Sequence, residues 1–499
     1  MMFGLGLWVA FSGSPQLAQA EIQPSRFSVG GYFRIMTRPD FQGGDSRLGF
    51  WNLYGRLLNE GPWGALEMKL DMVRPTPGTN QVWASVHAKI EGGSFNNADQ
   101  RKGKLSEYGI TQLYVKMGNV LLDRVTWQLG TLDSYFGELG LYDMRPAQIL
   151  FETLGLSARF QTKSVDLLLG FGDSGYFVRG EDYSTVLTVG GSIRWRANKH
   201  FELGVGGQFL YEPGVQGNRF APHYTPMPDG VTYEDYVRKE VVTRYLDNNP
   251  NQEDLFPKPV VTDALSYKAI GYIGFGNFGF LRWNNLFFNF QRRHPESSYT
   301  ESVDGKDYRI YVKELTDDRY EFNLGNEMHL TLVDGVLDAV WGVLVGFHFN
   351  DDNSIAAGDD NRLFYSTVLR LQAYVTPTVH ILAESSLAQE RSLKGNLWRA
   401  HYDSIFQSSQ GQANTRGLEY GDLDTRNTWQ LKTGLVLNPS GMGIFSRPSI
   451  RLLFGLQYSN MHNAFGNSFA ETLAEFSEFK EEKDRHWHPM LALEAEAWF

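Results

Sequence analysis

The chain has 499 residues, 42% of them hydrophobic and 14% aromatic, with 52 Gly, no Cys and a formal net charge of −11. The acidic balance argues against a nucleic-acid partner, and the missing Cys excludes disulfides and thiolate metal sites. No window of about 18 apolar residues occurs, which excludes membrane-spanning helices; abundant Gly and aromatics in a chain of diluted hydropathy suit a transmembrane β-barrel.

Residues 1–20 read as a secretory signal, with an apolar core from Phe3 to Phe11 and a small-x-small site at Ala18-Gln19-Ala20. The n-region carries neither Lys nor Arg. Cleavage there starts the mature chain at Glu21, and the first strand follows so closely that no plug domain fits before it. The remainder, 21–499, reads as one barrel domain.

Period-two alternation marks a strand with one apolar and one wet face, and about ten such residues span a bilayer when tilted. It predicts strands near 27–37, 47–58, 63–73, 107–117, 123–131, 152–161, 164–172, 184–196 and 200–211. It predicts more near 265–276, 279–291, 319–333, 337–350, 362–375, 379–389, 426–437, 449–460 and 489–499. That is eighteen strands, an even number as a single-chain bacterial barrel requires.

The connections supply a check. From a periplasmic N-terminus, long outer loops and short turns must alternate. Turn chemistry falls in the short slots: Gln161 to Lys163, Ala197 to Lys199, Gly276-Asn277, Val333 to Gly335 and Pro377. Long connections fall in the others, near 74–106, 132–151, 212–264, 292–318, 390–425 and 461–488, with 438–448 a long exception among the turns. Segment 81–90 has strand character, but counting it spoils this parity, so it is placed in the second outer loop. Loop 212–264 reads as an external loop over the pore mouth, a linker between soluble domains being the other reading.

Charges facing lipid cost a few kcal/mol near the midplane, so charged faces must line the lumen. In the first strand Phe27, Val29, Phe33 and Ile35 oppose Ser28, Tyr32 and Arg34. In the second, Trp51, Leu53 and Leu57 oppose Asn52, Tyr54 and Arg56. In the third, Leu66, Met68, Leu70 and Met72 oppose Glu67, Lys69 and Asp71. In the last, Leu491, Leu493, Ala495 and Ala497 oppose Glu494, Glu496 and Trp498, with Phe499 closing the chain. Trp283 shares a face with Asn285, Asn289 and Gln291.

A lumen of mixed charges and aromatic rings suits sugars, whose C–H faces lie on rings and whose hydroxyls bond to charged side chains. Several weak sites in series permit conduction. Packing against a constriction loop is the other reading of any lumen Tyr, and an interfacial aromatic girdle the other reading of Trp498.

Three stretches resemble the maltoporin family of eighteen-stranded trimeric sugar porins: Gly31-Tyr32-Phe33-Arg34, Arg47-Leu48-Gly49 followed by Tyr54, and Phe445-Ser446-Arg447-Pro448-Ser449-Ile450-Arg451. The closing Ala497-Trp498-Phe499 corresponds to the family's final aromatic pair. Together they anchor the two ends, roughly a quarter of the chain. The resemblance implies a homotrimer in the outer membrane of a Gram-negative bacterium, without cofactor, passing oligosaccharides of the maltodextrin kind. It carries over Tyr32, Tyr54 and Trp498 as an aromatic slide, with Trp283 a further slide candidate from its face. It marks Arg34 and Arg47 as a polar track, which the face assignment extends to Arg56, Glu67, Lys69, Asp71, Glu494 and Glu496.

Porins fold inward the loop between strands five and six, here 132–151, making Asp133, Glu138, Tyr142, Asp143 and Arg145 the constriction candidates. Their order departs from the family's third loop, and the disulfide many members carry is absent. A general diffusion porin is the nearest alternative. A barrel enzyme is a different class, but His348, His380, His401, His462, His486 and His488 show no catalytic spacing. Asp351-Asp352, Asp359-Asp360 and the Asp484, His486, His488 group read as solvated loops rather than metal sites.

Overall fold

A computed structural model describes residues 25–37, 52–59, 61–74, 80–93, 108–175, 185–213, 215–216, 260–261, 264–293, 298–303, 306–311, 319–350, 362–392, 425–460 and 486–499. The signal segment, Arg47 and Trp51 lie outside these residues, as do His401, His462, Asp484 and the Asp351 to Asp360 loop.

The strands in chain order are β1 (Phe27–Thr37), β2 (Trp63–Val73), β3 (Trp83–Gly92), β4 (Tyr108–Gly118), β5 (Val125–Tyr135), β6 (Gln148–Gln161), β7 (Val165–Asp173), β8 (Leu187–Asn198) and β9 (Phe201–Glu212). Then come β10 (Val215–Gln216), β11 (Val260–Val261), β12 (Ala264–Phe278), β13 (Leu281–Arg293), β14 (Ser298–Val303), β15 (Lys306–Tyr311), β16 (Arg319–Val333) and β17 (Leu337–Asn350). The last are β18 (Arg362–Tyr374), β19 (Val379–Ser392), β20 (Thr425–Leu437), β21 (Ser449–Ser459) and β22 (Trp487–Trp498). The pairs β10–β11 and β14–β15 are separate ribbons within long connections; the other eighteen strands form one antiparallel sheet. It closes because β1 pairs with β2 on one side and β22 on the other, Tyr32 standing opposite Ala65 and Trp498.

Eighteen strands are what the alternation predicts, but two assignments change. Residues 83–92 are a wall strand, paired with β2 and β4 rather than lying in an outer loop. Their alternation is regular: Ala84, Val86, Ala88 and Ile90 face out, and Ser85, His87, Lys89 and Glu91 face in. Residues 52–59 are not a strand. They hold a 3-10 turn, Asn52–Tyr54, inside the barrel. Leu53, Leu57 and Leu58 are buried there rather than facing lipid.

With these two exchanged, each connection on one side is shorter than its neighbours on the other, although 438–448 before β21 remains as long as the outer connection 351–361. The outer surface is an apolar belt, with Val29, Leu70, Leu113, Leu169, Val205, Leu369, Leu435 and Leu493 all exposed. Aromatics cluster outward near both rims: Trp429, Tyr458 and Trp487 at the long-loop end, and Phe275 with Phe278 at the short-turn end. Such girdles sit where hydrocarbon meets headgroups.

The buried hydrophobic core is inside the barrel and off-centre. Segment 52–59 and loop 136–147 fold into the lumen and join, the Arg56 amide donating to the Leu141 carbonyl at 2.8 Å. Leu53, Leu139, Leu141 and Tyr142 pack with Phe287, Val340, Leu344, Phe364 and Val368 of the wall. Leu57 and Leu58 pack with Leu382, Val436, Leu453, Met490 and Ala492. The inner wall carries apolar patches where these leucines dock, so each segment buries them without leaving the lumen.

Candidate functional site

Polar clasps hold the inner segments. The Glu327 carboxylate accepts from the amides of Gly140 (3.0 Å) and Leu141 (2.6 Å). The Asn289 amide donates to the Pro146 carbonyl at 2.7 Å. Lys432 donates to the Tyr54 carbonyl at 2.8 Å and pairs with Glu384 at 2.9 Å. The Ser366 hydroxyl donates to the Leu53 carbonyl. Each clasp satisfies a backbone group that the inward fold takes out of water.

This packing makes the lumen asymmetric. The inward residues of β18–β20 and β22 are buried, among them Arg370, Glu384, Glu390, Arg426, Gln430, Glu494 and Glu496. The inward residues of β2–β4 are largely half-exposed or exposed: Glu67, Lys69, Asp71, His87, Lys89, Glu91, Tyr114 and Lys116. Among the described residues the inward side chains of β2–β4 thus stay partly exposed where those of β18–β20 and β22 are covered.

Charges on the open wall pair along their own strands, Lys69 with Asp71 at 2.8 Å and Lys89 with Glu91 at 2.6 Å. Between them the rings of His87 and Tyr114 stack, with centroids 4.7 Å apart and planes at 15°. Lys116 reaches to 5.0 Å from the Tyr114 ring centroid. None of these β3 and β4 residues was singled out from the sequence. The alternation of 83–92 is the signal that could have found them.

The predicted slide is only partly assembled. Tyr32 and Trp498 face each other across the closing seam, with ring centroids 6.4 Å apart. Tyr54 is not beside them: it is 1% exposed, and its hydroxyl donates to Glu390 at 3.0 Å. The continuous strip Tyr32, Tyr54, Trp498 is therefore overturned, because Tyr54 sits on the inner segment, docked against β19 and β20. Trp283 faces inward on a different part of the wall, beside Phe445 and His329.

Glu496 is the hub of the predicted polar track. It lies 2.8 Å from Arg56 and 2.5 Å from both Arg447 and Arg451, and it accepts from the Tyr32 hydroxyl at 2.9 Å. Glu494 pairs with Arg451 at 3.1 Å. The Arg34 Nε donates to the Gly61 carbonyl at 2.8 Å. Glu67, Lys69 and Asp71 stand on the open wall; Arg34, Arg56, Glu494 and Glu496 are turned into the internal ion-pair network.

The loop expected to fold inward does so, between β5 and β6. Arg145 lies 4.4 Å over the Tyr135 ring and 3.5 Å from Glu138. Asp133 accepts from Gln148 at 2.8 Å. Asp143 is half-buried at a positive φ of 50° in the turn. Tyr142 departs from expectation: it is fully buried, with its hydroxyl toward the Ser366 carbonyl at 3.4 Å. Burial pushes the phenols of Tyr54 and Tyr142 well above the ordinary value of 10.0, so both are neutral donors. Among the described residues no group of three or more His, Asp or Glu is placed to hold a metal.

A closed eighteen-strand barrel, apolar outside and charged within, is an integral outer-membrane β-barrel. No family model matches the chain, and no curated protein does. Solved barrels resemble it only distantly. OpdK of Pseudomonas aeruginosa is 8% identical, with 95% of this chain and 98% of that one covered and a TM-score of 0.40. OccD3 (OpdP) of the same species is 8% identical, with 95% and 91% covered and a TM-score of 0.40. A loop-deletion mutant of the Vibrio cholerae outer-membrane protein OmpT is 9% identical, with 95% and 100% covered and a TM-score of 0.39.

Proposed function

We propose that this barrel is a passive diffusion channel whose passage runs off-axis along β2–β4, and that saccharides are among its solutes. One observation carries the reading: the inward faces of β18–β20 and β22 are buried under the inner segments, while those of β2–β4 are open. The open wall offers stacked rings, His87 on Tyr114, beside carboxylates and ammonium groups that already neutralise each other. Rings take the C–H faces of a sugar, and paired charges bond hydroxyls without demanding a net charge. Tyr32 and Trp498 add a second ring pair at the seam near the short-turn rim. In this reading residues 1–20 are removed on export and the barrels assemble as trimers, visible as a heat-modifiable band near three times the monomer mass.

A plain pore without a sugar site is the second reading, favoured by the burial of Tyr54 and Tyr142, which breaks the aromatic line. Planar-bilayer conductance with a panel of sugars separates the two. Current block that saturates with sugar concentration supports a binding channel. Steady ohmic current with every sugar supports the plain pore, and no conductance from correctly folded barrels would refute both.

A further inference from the structure

The short-turn ends of the three hairpins β4–β5, β6–β7 and β8–β9 are strongly basic. Residues 112–128, 157–168 and 192–204 hold seven Lys and Arg against three Asp and Glu, a local charge of +4 in a chain whose net is −11. The carboxylates facing the lumen there are shared. Arg159 donates to Asp166 through Nε at 2.8 Å and Nη2 at 2.5 Å, and Arg194 and Arg196 lie 3.3 and 3.8 Å from the same group. Glu202 lies 3.6 Å from Arg196 and also accepts from the Tyr272 hydroxyl.

Lys116, on the neighbouring hairpin, pairs with no Asp or Glu among the described residues; its ammonium lies 5.0 Å from the Tyr114 ring centroid. Strand register sets Lys116 and Arg159 on opposite sides of β5, Lys116 opposite Gln128 and Arg159 opposite Thr126. Trp127 and Leu129 point to lipid, so Thr126 and Gln128 share the inward side with the two cations, and all four are half-buried. Arg159 is the charge that acts most strongly on Lys116. The Gln128 amide donates to the Thr131 carbonyl at 2.7 Å. The Lys116 ammonium, the Thr126 hydroxyl and Nη1 of Arg159 remain as donors that meet no acceptor among the described residues. Two like charges thus flank a hydroxyl across one strand, an arrangement that costs energy until an anion accepts from all three.

We propose that Lys116, Thr126 and Arg159 form a site for the phosphate or carboxylate group of a small solute, near the short-turn end of the wall. It rests on the channel reading for the solute's arrival and on the placement of these donors alone for its capture. It adds a charged class of solute to the neutral ones. The test is isothermal titration calorimetry of the detergent-solubilised full chain with inorganic phosphate and, separately, with succinate, beside conductance in planar bilayers. Lys116→Met, Arg159→Met and Thr126→Val are compared with Lys163→Met, which removes the same charge from an exposed turn residue. Gel heat-modifiability confirms that each variant folds.

Loss of a hydrogen bond to a charged group predicts about tenfold weaker anion binding in Lys116→Met and in Arg159→Met, and about threefold in Thr126→Val. Binding is expected to stay within about twofold of wild type in Lys163→Met, whose charge is screened by water and salt. Heat with phosphate alone assigns the site to phosphorylated solutes, and heat with succinate alone assigns it to carboxylates. No heat of binding from wild type with either anion overturns the site. So does an equal loss in Lys163→Met and Lys116→Met, which marks a diffuse field instead. Either result leaves the channel reading standing where the barrel conducts. A folded barrel that binds phosphate through Lys116 yet carries no current supports the site and refutes the channel.

Discussion

Replacing Glu496 by Ala removes one carboxylate on which three guanidinium groups converge. Arg56, Arg447 and Arg451 lie 2.8, 2.5 and 2.5 Å from its oxygens, and its side chain has no solvent exposure. Breaking a buried ion pair from one side costs about 3–5 kcal/mol, because the remaining charge stays desolvated. Arg451 keeps Glu494 at 3.1 Å, which offsets part of the loss. Arg56 and Arg447 come from segment 52–59 and the turn before β21, so both detach from the seam between β1 and β22. The net expectation is a loss of about 3 kcal/mol or more, read as a lower urea midpoint for unfolding in lipid vesicles. Glu496→Gln keeps an acceptor for Tyr32 and is expected to fall between. A double-mutant cycle with Arg56→Met is expected to show coupling of about 1–3 kcal/mol. A loss below about 1 kcal/mol for Glu496→Ala, the size of an exposed pair, would show that the hub is hydrated and the reasoning wrong.

Deleting 139–146 removes the clasp on Glu327 and the cap over the lumen, and single-channel conductance should rise severalfold; unchanged conductance would put this loop outside the conducting path. Trp498→Ala should weaken sugar block about threefold to tenfold, at 0.5–1.5 kcal/mol for a stacked ring, with ion conductance little changed; wild-type sugar affinity in an assembled channel would remove Trp498 from the slide. Alkaline unfolding provides a third measurement. Tyr54 and Tyr142 hold raised values when folded, so above about pH 10 the unfolded chain loses protons first and stability falls as pH rises, by up to about 1.4 kcal/mol per unit per group. The Tyr54→Phe, Tyr142→Phe double variant should flatten that slope, and an unaltered slope would assign it to other groups.

Much of the wall was legible because lipid imposes a two-sided rule on every spanning strand. Leu66, Leu70, Glu67 and Lys69 alternate for no other reason, and Gly276-Asn277 and Val333 to Gly335 mark turns by their backbone preferences. The closing seam followed from the same rule applied to Glu494, Glu496 and Tyr32, which could only face inward. The inward loop between β5 and β6 was found by its slot in the barrel, not by its residues. Its Asp133, Glu138 and Arg145 lie at the lumen, while Tyr142 does not, since a Tyr in a loop carries no sign of whether it meets water or packed leucines.

The exchange of 52–59 for 83–92 shows where that rule loses its power. Alternation reports that a segment has an apolar and a polar side, not which apolar phase it touches. Leu53 and Leu57 touch Val368, Leu382 and Leu453 on the inner wall rather than lipid, yet in sequence they stand two and six residues from Trp51, as on a spanning strand. Loop parity cannot detect the error, because taking one strand away before β2 and adding one after it leaves every later strand's direction unchanged. What separates the two segments is where their charges find partners. Strand 83–92 carries Lys89 and Glu91 on its wet face, bonded to each other at 2.6 Å beside open space. Segment 52–59 carries one charge, Arg56, whose partner Glu496 lies on a strand 440 residues away. A lumen strand can satisfy its charges with its own neighbours and water, whereas a segment packed inside the barrel must find partners on the wall it covers. The Tyr54 hydroxyl on Glu390 follows the same necessity, which is why a residue expected to guide solutes instead anchors the inner segment to β19.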